Sequence, residues 1–285
     1  MSNLSHMPFL FKHNGNKYLL YCEKEKDLSM LIGFEDPHSD TPFPLYTNFI
    51  GWAVHIKNLD TGKVKKIPTP ESDLDCNPSI FFENGKMLLS YIASNIITHP
   101  YSDGDRMQCL KTSLRTIELN EDFSPKLETE SVIQDQTWTG IVTDKYVIYR
   151  NNESVAGPCS FTVINKDTKE QKTLSAKNQR MTYRTNPIWG EPDKFILTFD
   201  MEVAEDYKNA SIVIDLNTTQ QQLIIRTDDP EMPEGNLDIY KCSILDDKLI
   251  YSKKNKYKAG EESGCELIES KYQLVQNNLL KLEYV

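Results

Sequence analysis

The chain has 285 residues, of which 39% are hydrophobic and 10% aromatic, and this excludes a disordered or fibrous protein. Its 42 acidic and 32 basic residues give a net charge of −10, the wrong sign for binding the phosphate backbone of nucleic acid. We therefore expect a compact protein with a sizeable core and no nucleic-acid partner.

The sequence predicts a cytoplasmic protein that does not enter a membrane. Its first residues, MSNLSHMPFLFKHNGN, lack the basic start and apolar run of an export signal, and no apolar stretch long enough to cross a membrane follows. The cysteines have no C-x-x-C spacing and no neighbouring histidine cluster, so we expect buried reduced thiols, no metal and no cofactor. They are Cys22, Cys76, Cys109, Cys159, Cys242 and Cys265.

Five segments along the chain share one order of residues: a turn signal, then a lysine, then an apolar or aromatic run. In chain order they are NGNKYLLY (14–21), NGKMLLSY (84–91), TDKYVIY (143–149), EPDKFILTF (191–199) and DDKLIY (246–251). A β-prone run precedes each turn, which predicts a hairpin in each unit. The Asn-Gly pairs supply the positive φ that tight hairpin turns require.

A second hairpin is predicted in each unit, around an Asn- or Asp-rich turn. These turns lie near Asp60, Glu121, Asp167, Asn217 and Asn277. Two hairpins in each of five units predict an all-β fold, a five-bladed β-propeller with four antiparallel strands per blade. A β-sandwich is the alternative, but its turns do not recur in one order five times.

The propeller hypothesis treats residues 1–285 as a single domain. Its blades are predicted at 7–70, 76–129, 135–175, 184–227 and 236–285. The C-terminal LLKLEYV is predicted to be the fourth strand of the last blade, so that the first and last blades meet by side-chain packing. The links 23–51 and 93–108 are predicted to be long loops on the channel-mouth face, where binding residues commonly lie.

Residues just before the innermost strands are predicted to surround the mouth of the central channel. Asp75, Arg184 and Asp238 come from three different blades, and this mixed-charge set predicts a small polar ligand, with an oligosaccharide as the candidate. Arg180 and Arg184 suit a carboxylate or phosphate group on that ligand. The other predicted ligand-binding residues are His6, Asn77, Trp138 and Asn186.

The units, and especially CNPSIFFENGKMLLSY (76–91), resemble the blades of five-bladed glycosidases of the arabinanase and β-xylosidase type, and more distantly those of the invertase and levansucrase type. The resemblance implies a propeller that hydrolyses or transfers sugars with acidic residues at the channel mouth. The sequence departs from that family at three inner strands. Met7 precedes Pro8, and Asn77 precedes Pro78, where the family has aspartate. The third unit has Trp138 and no glutamate.

Glycoside hydrolysis needs one protonated carboxylic acid and one ionised carboxylate beside the scissile bond. Asp75 or Asp238 is the candidate base or nucleophile, and Glu202 or Glu234 is the candidate acid. Two functions stay open at this point: a carbohydrate-active or carbohydrate-recognising propeller, catalytic or not, and a non-catalytic protein-interaction scaffold. The scaffold would bind a protein partner through the long loops and the acidic rim.

Overall fold

The computed structural model describes residues 5–34, 43–70, 74–100, 106–137, 139–151, 160–176, 183–203, 206–227, 239–254 and 265–285. These residues form β-strands and one 3-10 turn at Leu127–Thr129, with no α-helix among them. The all-β prediction is therefore confirmed. No helix within these ranges has the length and hydrophobicity needed to cross a bilayer.

The first four units each contain four consecutive strands, and each strand pairs antiparallel with its neighbour along the chain. The strands are β1 (Ser5–His13), β2 (Asn16–Phe34), β3 (Phe43–Asn58) and β4 (Val64–Ile67); β5 (Leu74–Glu83), β6 (Lys86–Pro100), β7 (Arg106–Leu119) and β8 (Ser131–Asp135); β9 (Gly140–Val142), β10 (Tyr146–Arg150), β11 (Ser160–Asn165) and β12 (Gln171–Ala176); and β13 (Tyr183–Pro187), β14 (Lys194–Val203), β15 (Asp206–Asp215) and β16 (Gln221–Arg226). The second unit thus ends later than the predicted boundary at residue 129, because its fourth strand follows the 3-10 turn.

The last unit differs from the expected pattern. Its strands are β17 (Tyr240–Leu245), β18 (Lys248–Lys254) and β19 (Cys265–Gln276), followed by the C-terminal β20 (Leu282–Tyr284). The first half of β19 pairs with β18, and its second half pairs with β16 of the fourth unit. β20 pairs with β12 of the third unit, so the prediction that it completes the fifth unit is wrong.

Packing explains where the C-terminal strand lies. Leu280 and Leu282 are buried in a cluster that includes Phe161 and Leu174 of the third unit. The side-chain amide of Gln221 donates to the Leu282 carbonyl oxygen (2.8 Å) and accepts from the Leu282 N–H (3.2 Å). Apolar burial and these two hydrogen bonds draw β20 away from β19 and onto the edge of β12.

Pairing between units joins the strands of the described residues into three sheets, of eight, five and seven strands. A single parallel bridge, Ile32 with Gln108, connects the first two units. The first and last units meet through a buried cluster that includes Leu10, Leu19, Ile250 and Leu267, so the expected closure by side-chain packing is confirmed there.

The turns follow the predicted chemistry. Asn14–Gly15 and Asn84–Gly85 all have positive φ, the conformation that a two-residue hairpin turn requires. In three second hairpins a side-chain oxygen accepts the backbone N–H groups two and three residues further on. These acceptors are Asn58, Asn165 and Asp215.

The two long links predicted as loops are instead largely extensions of the hairpins. Residues 24–34 pair with 43–52, and residues 95–100 pair with 106–111, so strand pairing satisfies about half of their backbone hydrogen-bonding groups. We call these two extensions the paired arms. Ser5, the first residue of β1, lies opposite Glu23. The arm that begins at residue 24 therefore extends beyond the start of this inner strand.

Candidate ligand site at the bulged inner strands

Three inner strands carry a β-bulge near the end at which the chain enters them. The register shifts between His6 and Phe9 in β1, between Cys76 and Ser79 in β5, and between Tyr240 and Cys242 in β17. The residues in these bulges with left-handed backbones are Met7 (φ 57°), Asn77 (φ 55°) and Lys241 (φ 47°). We call this side of the molecule the bulged end.

A left-handed backbone at a non-glycine residue costs on the order of 1–3 kcal/mol, and such residues concentrate at functional sites. Bulges also redirect side chains and are common beside active sites. Just before the third unit, the exposed Gln136 has the same conformation (φ 56°). The recurrence of this strained geometry at one end of several units marks the bulged end as the candidate site.

Hydrogen bonds connect the bulged strands to neighbouring units. The Asn77 N–H donates to the sulfur of Met7 (2.9 Å), and the Asn77 side-chain amide donates to the Gly140 carbonyl oxygen (3.0 Å). The Met7 N–H donates to the hydroxyl of Ser252 in β18 (3.2 Å). The second unit is therefore joined to the first and the third, and the first to the fifth.

The fourth unit completes these connections. The hydroxyls of Thr139 and Thr185 lie 3.1 Å apart. The Asn186 amide donates to the carbonyl oxygens of Pro8 (2.9 Å) and Cys242 (2.7 Å). One buried asparagine thus links the inner strands of the first, fourth and fifth units.

Lys241 is the buried cation of this end. Only 5% of it is exposed, and it lies in the bulge of β17. Lysines are almost never buried unless their charge is paired, because the ammonium group loses its hydration. Lys241 therefore adds a basic side chain to the buried residues of the bulged end.

A second polar group lies on the first unit at the same end. The hydroxyl of Tyr21 donates to Glu23 (3.3 Å), and the ring nitrogen Nδ1 of His55 lies 3.9 Å from the same carboxylate oxygen. Burial, with the charge of Glu23 second, raises the pKa of Tyr21 to about 12. This tyrosine therefore stays protonated and acts as a hydrogen-bond donor at neutral pH.

The structure describes part of the predicted site. Asn77 and Asn186 are buried, and their amide nitrogens donate to backbone carbonyls of neighbouring strands, while Arg184 is half-buried on β13. Their binding of a ligand stays a prediction. The backbones, but not the side chains, of His6, Asp75 and Glu202 are described, in β1, β5 and β14. The predicted residues Trp138, Arg180, Glu234 and Asp238 lie outside the described residues.

The sequence prediction missed Lys241, Met7 and the group of Tyr21, Glu23 and His55. Pro8 and Pro78 provided a usable signal for two bulges, because proline within a strand is found mainly at edges and bulges. Nothing comparable marks Lys241. No group of three or more His, Cys, Asp or Glu residues suited to a metal ion occurs in the described ranges.

Comparisons with known proteins identify a similar fold. No protein-family profile matches the sequence, and no curated protein matches it either. The solved structure of an alpha-L-arabinofuranosidase from Lactobacillus brevis matches with a TM-score of 0.52 at 12% identity, covering 95% of this chain and 91% of that one. A puromycin-hydrolyzing peptidase from Mycobacterium tuberculosis gives a TM-score of 0.41 at 11% identity, covering 96% of this chain and 38% of that one. The first match shows an all-β, propeller-like fold distantly similar to that of a glycosidase.

Proposed function

We propose that the protein is a five-bladed β-propeller that binds a small, polar, carbohydrate-like ligand at the bulged end. In this arrangement β20 is the displaced last strand, lying on the third blade instead of the fifth. The observation that carries the proposal is the recurrence of left-handed, non-glycine residues at one end of the inner strands, Met7, Asn77 and Lys241. The likeness of the fold to an arabinofuranosidase supports a sugar as the ligand class.

The side chains at this end suit hydroxyl groups together with one negative charge. Lys241 and Arg184 are basic side chains at this end, and Glu23 accepts the single proton that the Tyr21 hydroxyl can donate. Hydrogen bonds to charged groups are worth about 1.5 to 3 kcal/mol each, so two of them account for a useful share of the binding free energy. An oligosaccharide with an acidic or phosphorylated residue fits this chemistry.

Hydrolysis is the second part of the proposal. Asp75 or Asp238 acts as base or nucleophile, and Glu202 or Glu234 as the acid that protonates the leaving oxygen. Methionine and asparagine occupy positions 7 and 77, where the related glycosidases have aspartate, and this favours recognition over turnover.

A protein-interaction scaffold is the alternative function. The paired arms favour it, because two long hairpins joined by the Ile32–Gln108 bridge extend beyond the inner strands and offer a surface to a partner. Such a partner would contact the arms, whereas a sugar would contact the bulged strands. The two functions therefore predict losses of binding from different substitutions.

A glycan array tests recognition, and a panel of aryl glycosides that includes an α-L-arabinofuranoside tests hydrolysis. The proposal predicts saturable binding to a subset of glycans that Arg184→Met weakens by tenfold or more, roughly one charged hydrogen bond. Any turnover is expected to disappear in Asp75→Asn and Asp238→Asn. Absence of glycan binding, together with capture of a protein that depends on residues 24–34, contradicts the proposal and supports the scaffold.

A further inference from the structure

A cavity lies at the end of the inner strands opposite the bulged end, where the strands run into their hairpin turns. It has a volume of about 200 Å³, and four units contribute to its walls. Phe9, Phe81, Phe82 and Trp189 provide aromatic walls, and Asp144 provides a carboxylate. Because the bulged end lies at the other end of the same strands, this cavity is separate from the proposed sugar site.

The aromatic walls attract cations, and the chain itself provides an example. The ammonium nitrogen of Lys166 lies 4.7 Å from the centre of the Phe81 ring and pairs with Glu83. Phe82 and Trp189 are half-buried, and their rings meet edge to face with centres 5.9 Å apart. Lys166 thus covers Phe81, while Phe82 and Trp189 both line the open cavity.

The charges around the cavity are balanced except at Asp144. Carboxylates in the surrounding turns each pair with a lysine: Glu83 with Lys166, Glu191 with Lys194 and Asp193 with Lys145. Asp144 accepts the N–H of Phe82 (2.9 Å), but it forms no ion pair with a lysine or arginine of the described ranges. One negative charge is therefore available at the mouth of an aromatic cavity.

We propose that this cavity binds a small organic cation carrying a quaternary ammonium group. Its methyl groups contact Phe82 and Trp189, and Asp144 balances its charge. The chemistry of the walls selects this class over a guanidinium group, which brings five N–H donors that each need an acceptor. The hydroxyl of Thr143, another polar group of the wall, is already bonded within its own turn and to the Pro192 carbonyl oxygen. A quaternary ammonium group brings no N–H and leaves no donor unsatisfied.

The test is a titration with choline, followed by the indole N–H signals in proton–nitrogen NMR spectra of the full chain. The chain has three tryptophans, and Trp189→Phe identifies the signal of Trp189 by its disappearance. The neutral compound 3,3-dimethylbutanol has nearly the shape of choline without its charge, so it serves as the matched probe. The proposal predicts a saturable shift of the Trp189 signal with choline and at least fivefold weaker binding of the neutral probe, roughly one ion-pair contribution.

Asp144→Asn removes the charge but keeps an oxygen to accept the Phe82 N–H, so the fold is preserved. Its expected effect is a roughly fivefold loss of choline affinity with unchanged affinity for the neutral probe. Asp60→Asn is the matched control, because Asp60 accepts the Lys17 N–H (2.8 Å) in the same manner and does not line the cavity. Equal binding of the two probes, an unchanged affinity in Asp144→Asn, or no saturable shift overturns the proposal.

Discussion

The backbone N–H of Asn77 donates to the sulfur of Met7, 2.9 Å away, so two left-handed residues of neighbouring units hold each other in place. Neither residue is glycine, and the surroundings must offset the strain of both. The hydrogen bond offsets part of it, and the burial of both side chains offsets more. The bulged end is therefore a connected framework in which each unit supports the geometry of the next.

Met7→Leu is expected to destabilise the protein by about 1 kcal/mol, because it keeps the apolar volume but removes the acceptor of the Asn77 N–H. Met87→Leu is the matched control, since Met87 is equally buried at 6% exposure and packs in an apolar cluster. Urea unfolding measures both free energies. Equal losses for the two variants contradict a role for the sulfur.

Asn186→Ala is expected to cost at least about 2 kcal/mol, because it removes the donor from two buried carbonyl oxygens, those of Pro8 and Cys242. Asn278→Ala, at an exposed position near the C-terminus, is expected to be close to neutral. Thermal and urea unfolding compare the variants. A loss below about 0.5 kcal/mol in Asn186→Ala excludes its linking role.

Leu282→Ala tests the position of the C-terminal strand. Leu282 is 1% exposed within the cluster of the third and fourth units, so truncation is expected to cost about 2 to 5 kcal/mol. Val285 is 76% exposed, and Val285→Ala is expected to have no measurable effect. Hydrogen exchange should show β12 losing protection in Leu282→Ala. Loss of protection confined to β19 points instead to pairing within the fifth unit.

Asp122, an exposed carboxylate that connects the first two units, contributes to the pH dependence of stability. Hydrogen bonds from Ser124, followed by one from Lys65, lower its pKa from 3.8 to about 2. Because the pKa in the folded state lies below the unfolded value, the contribution is complete above pH 3.8 and disappears as the pH falls through about 2. Urea midpoints between pH 5 and 2 are expected to fall less steeply in Asp122→Asn than in wild type. Glu121→Gln, on the same turn, is the control, and an identical slope in Asp122→Asn and wild type contradicts the assignment.

The hairpins could be predicted because their turns depend on residues that are adjacent in the chain. The pairing of β20 depends instead on contacts between distant parts of the chain. The Asn14–Gly15 and Asn84–Gly85 turns and the Asp215 turn depend on residues adjacent in the chain, so their signals are present in the sequence. The place of β20 was not predictable, because a short apolar strand satisfies its alternation equally well beside β19 or β12. The choice rests on Gln221 and on cluster contacts from distant units.

The candidate site was harder to predict than the fold. Asn77 and Asn186 were predicted to lie just before the inner strands, but their hydrogen bonds to carbonyls of other units depend on how the units pack against one another. Lys241 was missed because a lysine in a strand ordinarily faces solvent, and the bulge in β17 changes its direction. Such strained features arise from tertiary structure and leave little trace in local propensity.

The central claim is that the bulged end binds a polar, carbohydrate-like ligand, and calorimetry with the strongest oligosaccharide from the array tests it most directly. Lys241→Met keeps the stem of the side chain and removes its charge, while Lys253→Met does the same at an exposed position on β18. The account predicts that Lys241→Met weakens binding by at least tenfold, about one charged hydrogen bond, and that Lys253→Met leaves it unchanged. Undiminished affinity in a folded Lys241→Met variant contradicts a ligand site at the bulged end.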